Sequence, residues 1–343
     1  RSVTGVQTCA LPILVIDQTG RIVGGDLYES VIRSDARTSY REIHDFLELG
    51  EGRDRYGSME DAFVAMRELA EILREKLRER GTLEFEFPET EVDLDEEGRP
   101  IAIYPYPITF TNGIIEAFMI AANEFVAEKF HALNLPFVYR VHELPDPEKL
   151  RRFMRLANNL GVRIRLRGNP RPADLAVALG EIKEMEYGEA LSQLLLRSLA
   201  KARYAPECLG HFGLASTYYC HFTSPIRRYP DLFIHRVIKG WLSDRMQNAQ
   251  WKREAVQVSE NSSLTERMAD QAERDTIQQK ACEYMADRIG EEFDGVISGI
   301  ISAGFFVRLP STVEGMVPFR SMADYFDYDE DTLTARGSRS GRI

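Results

Sequence analysis

Positive charge is what this chain is short of: 43 Lys and Arg stand against 54 Asp and Glu, a net charge of −11. That balance excludes a protein that grips nucleic acid over its whole surface. It leaves room for a narrow channel where local arginines meet phosphates while outer acids keep the protein soluble. Cysteine is also scarce. Cys9, Cys208, Cys220 and Cys282 are scattered, with no CxxC pair and no histidine spacing for zinc. A disulfide scaffold and a zinc ribbon are thereby excluded, and the four are read as reduced thiols of a cytoplasmic protein. No stretch approaches the roughly 18 apolar residues of a membrane span, so no membrane partner is expected. Internal repeats and low-complexity linkers are missing too.

What is present is globular. A hydrophobic fraction of 44% and a charged fraction of 28% are ordinary for a packed protein, and 343 residues suffice for two domains. Residues 1–13, RSVTGVQTCALPI, carry no period that continues into the residues beyond them. They read as adapter-like, non-native sequence and are set aside, and the stop at SRSGRI suggests an open-ended fragment. Alternation around Gly20 predicts a hairpin over 14–33. Apolar positions at helical spacing predict a helix over 57–80 that stops before Gly81. Two strands are expected over 82–104 around Glu96-Glu97-Gly98, then a helix from 113 to 133 and a strand over PFVYRVHE. Asp146-Pro147 opens a helix through Asn159, and 172–203 reads as largely helical. Ser263-Leu264-Thr265-Glu266 has the capping-box pattern, predicting the head of a long helix that closes at Gly290. The fold class is α+β.

After Gly290 the texture becomes short strands broken by glycines, EEFDGVISGIISAGFFVRLPSTVEGMVPFRSM. About three strands are expected there. Phe305 and Phe306 are neighbours on one strand and so point to opposite faces.

The densest chemistry lies in Gly210–Lys239, GHFGLASTYYCHFTSPIRRYPDLFIHRVIK, where rings, arginines and histidines crowd a Ser-Pro turn. Such a mixture fills a core poorly and suits a polyanion with bases. The unbroken HFTSPIRRYPDL resembles the signature of the ribonuclease II/RNase R family, whose RNB catalytic domain degrades RNA from its 3′ end. Arg228 and Pro230 within IRRYPDL place the resemblance nearer the RNase R side. So does the glycine-broken tail, which resembles the opening of an S1-type OB-fold for single-stranded RNA. The resemblance covers roughly residues 14–343. It implies the C-terminal portion of an RNB domain over 14–290 and a truncated S1-type β-barrel over 291–343.

It also implies roles. Arg227 sits where the family has its catalytic arginine, a guanidinium able to hold phosphate oxygens and offset charge in the transition state. Glu273 matches a glutamate of the active centre, and spacing puts it on one helix face with Glu266, Asp270 and Ile277, an inward location. Tyr40 matches a tyrosine beside the scissile nucleotide. Phe85 matches a ring that clamps the 3′-terminal bases by stacking. Glu116 matches a ribose contact and shares a helix face with Asn123 at i+7. Arg228, Tyr229 and His221 join the RNA-binding set with Phe305 and Phe306. His211, His221 and His235 fit no metal spacing and are read as structural hydrogen-bonders. Tyr139–Glu143 is read as channel wall, and Arg163, Arg165 and Arg167 share one face of a short strand.

The family hydrolyses RNA with Mg²⁺ held by clustered aspartates. The dense acidic runs here, Asp93–Glu97 and Asp327–Asp331, read as solvated loops, so no metal ligand is assigned. The expected parent is a processive Mg²⁺-dependent 3′→5′ exoribonuclease releasing nucleoside 5′-monophosphates from single-stranded RNA. The fragment itself is expected to be monomeric and inactive. Its rivals are a non-catalytic RNA-binding relative and an RNA chaperone that uses only the S1-like part.

Overall fold

The computed structural model describes residues 8–162, 164, 169–185, 188–329 and 334–341. Its helices are α1 (Tyr40–Leu49), α2 (Arg53–Tyr56), α3 (Glu60–Arg80), α4 (Phe110–Ala132), α5 (Pro147–Asn159), α6 (Pro172–Lys183), α7 (Gly188–Ser198), α8 (Tyr229–Leu242) and α9 (Asn248–Ala286). The strands are β1 (Thr8–Ile16), β2 (Ile22–Val31), β3 (Thr90–Leu94), β4 (Pro100–Pro105), β5 (Tyr139–Val141) and β6 (Arg203–Ala205). They continue with β7 (Val296–Ile301), β8 (Gly304–Arg308), β9 (Glu314–Pro318), β10 (Phe326–Asp329) and β11 (Thr334–Gly337). Two compact units interleave along the chain: Arg1–Leu83 with Ile108–Glu143 and Lys201–Thr265, and Glu84–Pro107 with Leu144–Ala200 and Glu266–Ile343.

In the first unit β1 and β2 form the expected antiparallel hairpin. Asp17 makes its turn by accepting from the Thr19 and Arg21 amides, with Gly20 in the left-handed region. β1 starts earlier than the sequence pattern indicates. Thr8–Ile13 pair in register with Asp26–Val31, and Ala10 is buried at 1% exposure, so the adapter-like segment is structured from Thr8. α1 has no counterpart in the apolar pattern. A reciprocal cap starts it: Ser39 Oγ accepts from the Glu42 amide, and the Glu42 carboxylate accepts from Ser39 N. α3 ends where expected, with Gly81 at φ 92°. α4 is the spine. Val126, Ala127 and Phe130 are fully buried, Phe130 stacks on Phe137 at 5.1 Å, and Phe233, Ile234, Val237 and Ile238 of α8 belong to the same core. Fully burying such side chains is worth about 1.5–3 kcal/mol each.

In the second unit the strand expectation over 82–89 fails, since strand pairing begins at Thr90. The turn at Glu96–Gly98 holds, closed by Asp95 accepting from the Glu97 and Arg99 amides. α5 opens as expected, with Asp146 accepting from the Glu148 and Lys149 amides and Pro147 at the first turn. α5 and α6 each pack against α7 and bury Leu150, Phe153, Leu175, Leu179, Ile182, Leu191 and Leu195. Arg163, Arg165 and Arg167 lie outside the described residues.

Ser263 does not begin a helix: α9 already starts at Asn248. Mid-helix, Ser263 Oγ donates to the Ser259 carbonyl and Thr265 Oγ1 to that of Asn261, so these hydroxyls back-bond one turn up instead of capping. The tail holds more strand than expected. β7–β8–β9 form an antiparallel sheet and β10–β11 a separate hairpin, and no closed barrel exists among the described residues. No described helix is long and apolar enough to cross a membrane.

Candidate active site

In the first unit the motif turn is held by buried side chains. Ser224 O accepts from the amides of Arg227 and Arg228, and Pro225 supplies the fixed φ that starts such a turn. Two residues, one on α4 and one on α8, grip this turn and the segment entering it. On α4, Asn123 is buried; its Oδ1 accepts from the Phe222 amide at 2.9 Å and its Nδ2 donates to Tyr219 Oη at 3.3 Å. On α8, Asp231 is at 0% exposure, and its Oδ1 accepts from the Ser224 amide and from Arg228 Nη2, both at 2.7 Å. Asp231 Oδ2, Arg228 Nε and Thr223 Oγ1 are buried without a partner among the described residues.

The two arginines therefore part company. Arg228 is turned inward onto Asp231, with its side chain 22% exposed. Arg227 is exposed, as is Tyr229 at 51%. The Tyr229 ring lies 5.7 Å from the Arg236 guanidinium carbon, and its hydroxyl accepts from Arg236 Nη1 at 3.2 Å. This rim offers cation and aromatic faces to solvent, which can bind phosphates and bases.

The histidines behave as structural hydrogen-bonders. His235 Nε2 meets the Phe222 carbonyl at 3.0 Å and its ring stacks on Phe222 at 4.4 Å. His211 Nδ1 accepts from the Leu214 amide and His142 Nδ1 from that of Gly213. His221 Nδ1 pairs with Tyr204 Oη at 2.8 Å, and Arg140 lies over the Tyr204 ring at 4.8 Å. Burial first, then the Arg228 and Arg140 charges, pushes the His221 pKa down to about 2. Burial, then His142 and Arg140, pushes His211 down to about 3. Both rings are neutral, so neither is poised as an acid–base group near neutral pH.

Tyr40 is the first residue of α1 and is 41% exposed. Its carbonyl accepts from Thr111 Oγ1 of α4 at 2.8 Å, so its backbone is fixed while its ring is free. Glu116 is exposed on α4. It shares a face with Asn123 by spacing but not an environment, because the 219–222 segment covers only Asn123. Thr111 and Asn123 are the anchors that sequence reasoning did not assign. Their only signal was a polar residue inside an otherwise apolar helix.

In the second unit Phe85 is half-buried and stacked on Phe87, centroids 6.0 Å apart. Glu273 and Asp270 are exposed on α9, whereas Glu266 and Ile277, which share that face by spacing, are half-buried. Phe305 meets Phe319 at 6.1 Å, and Phe319 stacks on Phe326 at 5.1 Å. Phe306, opposite Met316 in the ladder, points the other way. Asp327–Asp329 lie in β10, and the rest of that acidic run is outside the described residues. Among the described residues no three His, Cys, Asp or Glu side chains come together as a metal site. Among the described residues no donor set fits the Mg²⁺ that the family resemblance implies, and no chemical step is drawn through it.

The RNB domain family matches residues 6–244. The chain belongs to that family. Ribonuclease R of Thermotoga maritima is 40% identical to this RNB chain over 338 residues, which is 96% of the chain and 47% of that protein. The chain thus spans about half the length of the curated relatives it matches. The solved structure of Mycoplasma genitalium RNase R in complex with ribose-methylated single-stranded RNA superposes with a TM-score of 0.92 at 28% identity, over 97% of this chain and 53% of that one. Yeast Ssd1, a pseudonuclease, shares the fold alone, with a TM-score of 0.70 at 20% identity over 94% of this chain and 40% of that one.

Proposed function

We propose that this RNB chain is the RNA-holding part of an RNase R-type exoribonuclease. The whole protein would be a processive, Mg²⁺-dependent hydrolase that shortens single-stranded RNA from its 3′ end to nucleoside 5′-monophosphates. The observation that carries this reading is the presentation of Arg227. It is solvent-exposed at the end of a turn whose backbone is held at Phe222 and Ser224 by buried side chains. A backbone held in this way starts the exposed Arg227 side chain from a defined place, from which its guanidinium can meet phosphate oxygens and offset developing charge. The similarity to a solved RNase R bound to single-stranded RNA supports the choice of substrate.

Within this reading Tyr40 flanks the scissile nucleotide, and Glu116, exposed on α4, accepts from a 2′-hydroxyl. Phe85, backed by Phe87, stacks on a terminal base. The strands after Val296 act as an S1-type surface with Phe306 as the outward ring. The chain is taken to be monomeric and cytoplasmic. Because no donor set for Mg²⁺ comes together among the described residues, the chain alone should bind RNA without hydrolysing it. Incubation with end-labelled oligouridylate and Mg²⁺ tests this. Retention on a filter with intact length is expected. Stepwise shortening by a nuclease-free preparation would show that the chain carries its own metal site, and failure to bind would remove the RNA reading.

A further inference from the structure

We propose that Asp231 is the positioning residue of this site, dividing the labour of the arginine pair so that Arg228 serves the fold and Arg227 serves the ligand. The assignment rests on the RNA reading above for its ligand, but its geometry is independent of it. Asp231 is the third residue of α8, where a carboxylate gains from the helix N-terminus. From there it reaches back to two points of the turn, the Ser224 amide and the Arg228 guanidinium. Ser224 in turn holds the amides of Arg227 and Arg228 through its carbonyl. One buried carboxylate therefore fixes both ends of a five-residue turn, and Arg227 lies between those ends with its side chain exposed.

The pair is close to a dedicated internal contact. The Arg228 side chain is 22% exposed and that of Asp231 is 0% exposed, so neither can leave the other without stranding a charge. A surface arginine pair meant jointly for phosphate would leave both guanidinium groups free. By residue type Arg227 and Arg228 are equal cations, and the fold gives them unequal surroundings.

The test is a double-mutant cycle on the whole chain, read by anisotropy of fluorescein-labelled oligouridylate across a salt series. Arg227→Ala is expected to weaken binding on the order of tenfold and to lower the salt slope by about one. In the presence of Asp231→Asn, the same Arg227→Ala change should cost almost nothing, because Arg227 has already lost its fixed presentation. An equal cost in both backgrounds would overturn the proposal, since a merely structural role leaves the Arg227 contribution intact.

Should wild-type chain not bind the oligouridylate, the RNA reading fails, and phenylglyoxal modification followed by mass spectrometry decides the positioning role alone. Arg227 should then react fast and Arg228 slowly, with Arg228 becoming reactive on Asp231→Asn. Equal rates at the two arginines in the wild-type chain would sink the assignment, and that comparison stands even if the variant does not fold.

Discussion

The turn Ser224–Arg228 and the segment entering it are held by side chains acting on the backbone, whereas β8 is held by the backbone ladder itself. Asn123 and Asp231 take the amides of Phe222 and Ser224, and no sheet partner is needed there. In β8 every residue from Gly304 to Arg308 has a ladder partner in β9, and Phe305 and Phe306 simply follow the pleat. The difference has consequences for mutation. In the turn, deleting a buried residue that touches no ligand disturbs the exposed arginine. In the strand, deleting a ring leaves the backbone ladder in place, and the effect stays with what that ring itself touches.

The largest expected effect that separates the two regions is acid. All six histidines of the chain lie in the first unit, and the second has none. His211 and His221 are neutral in the fold, held down to about 3 and about 2 chiefly by burial. Unfolding returns them to their ordinary value of 6.5. Below that value the unfolded chain binds more protons than the folded one, so stability falls as pH falls. From about pH 7 to about pH 5 the loss is about 2 kcal/mol for each histidine. Trp241 and Trp251 both belong to the first unit, so urea midpoints followed by tryptophan fluorescence report it selectively. The midpoint should drop over this window while amide protection in β7–β9 stays unchanged. A flat midpoint would mean that the histidine network is not closed to protons. Asp324, whose carboxylate is held low by Ser340 hydrogen bonds, loses its contribution only on falling through the lower carboxylate range, so it does not confuse this window.

Asn123 sharpens the same contrast at smaller scale. Replacing it by alanine leaves the Phe222 amide and the Tyr219 hydroxyl buried without that partner, at a cost of about 2 kcal/mol. Chemical denaturation would measure the cost, and a loss below about 0.5 kcal/mol would show that the segment finds other acceptors. RNA affinity should fall together with stability here, although Asn123 is covered and cannot touch the ligand.

The sequence was readable at several places where a local rule decided the outcome, though the Ser39–Glu42 cap of α1 was not among them. Asp146-Pro147, Gly81 and the Asp95–Gly98 turn each act within a few residues, and each appears where the pattern puts it. It misled where the same residue types had a second local option. Ser263 and Thr265 carry a cap signature, yet inside a helix their hydroxyls turn to the preceding carbonyls. Long-range anchors left no local trace. Thr111 meets Tyr40 and Asn123 meets Phe222 across 71 and 99 positions of sequence. The motif gave the arginine pair its place and, by resemblance, Arg227 its role, but no local pattern shows that Arg228 is held by the fully buried Asp231.

The smallest effect asks the strand region to show the independence ascribed to it. Phe305 meets Phe319, which stacks on Phe326, whereas Phe306 lies on the opposite face of the strand. Phe305→Ala should therefore cost stability in the second unit. Fully buried rings cost about 3–5 kcal/mol on truncation, and a half-buried one about half of that. Phe306→Ala should leave stability nearly unchanged and weaken RNA binding by about 1 kcal/mol, the low end for one stacked base. Neither change should move the tryptophan-detected midpoint. If Phe306→Ala destabilises as much as Phe305→Ala, both rings are core, and the strand offers no ring to a base. If instead either change shifts the tryptophan midpoint, the two regions are energetically coupled, and backbone-held and side-chain-held sites can no longer be treated as separate designs.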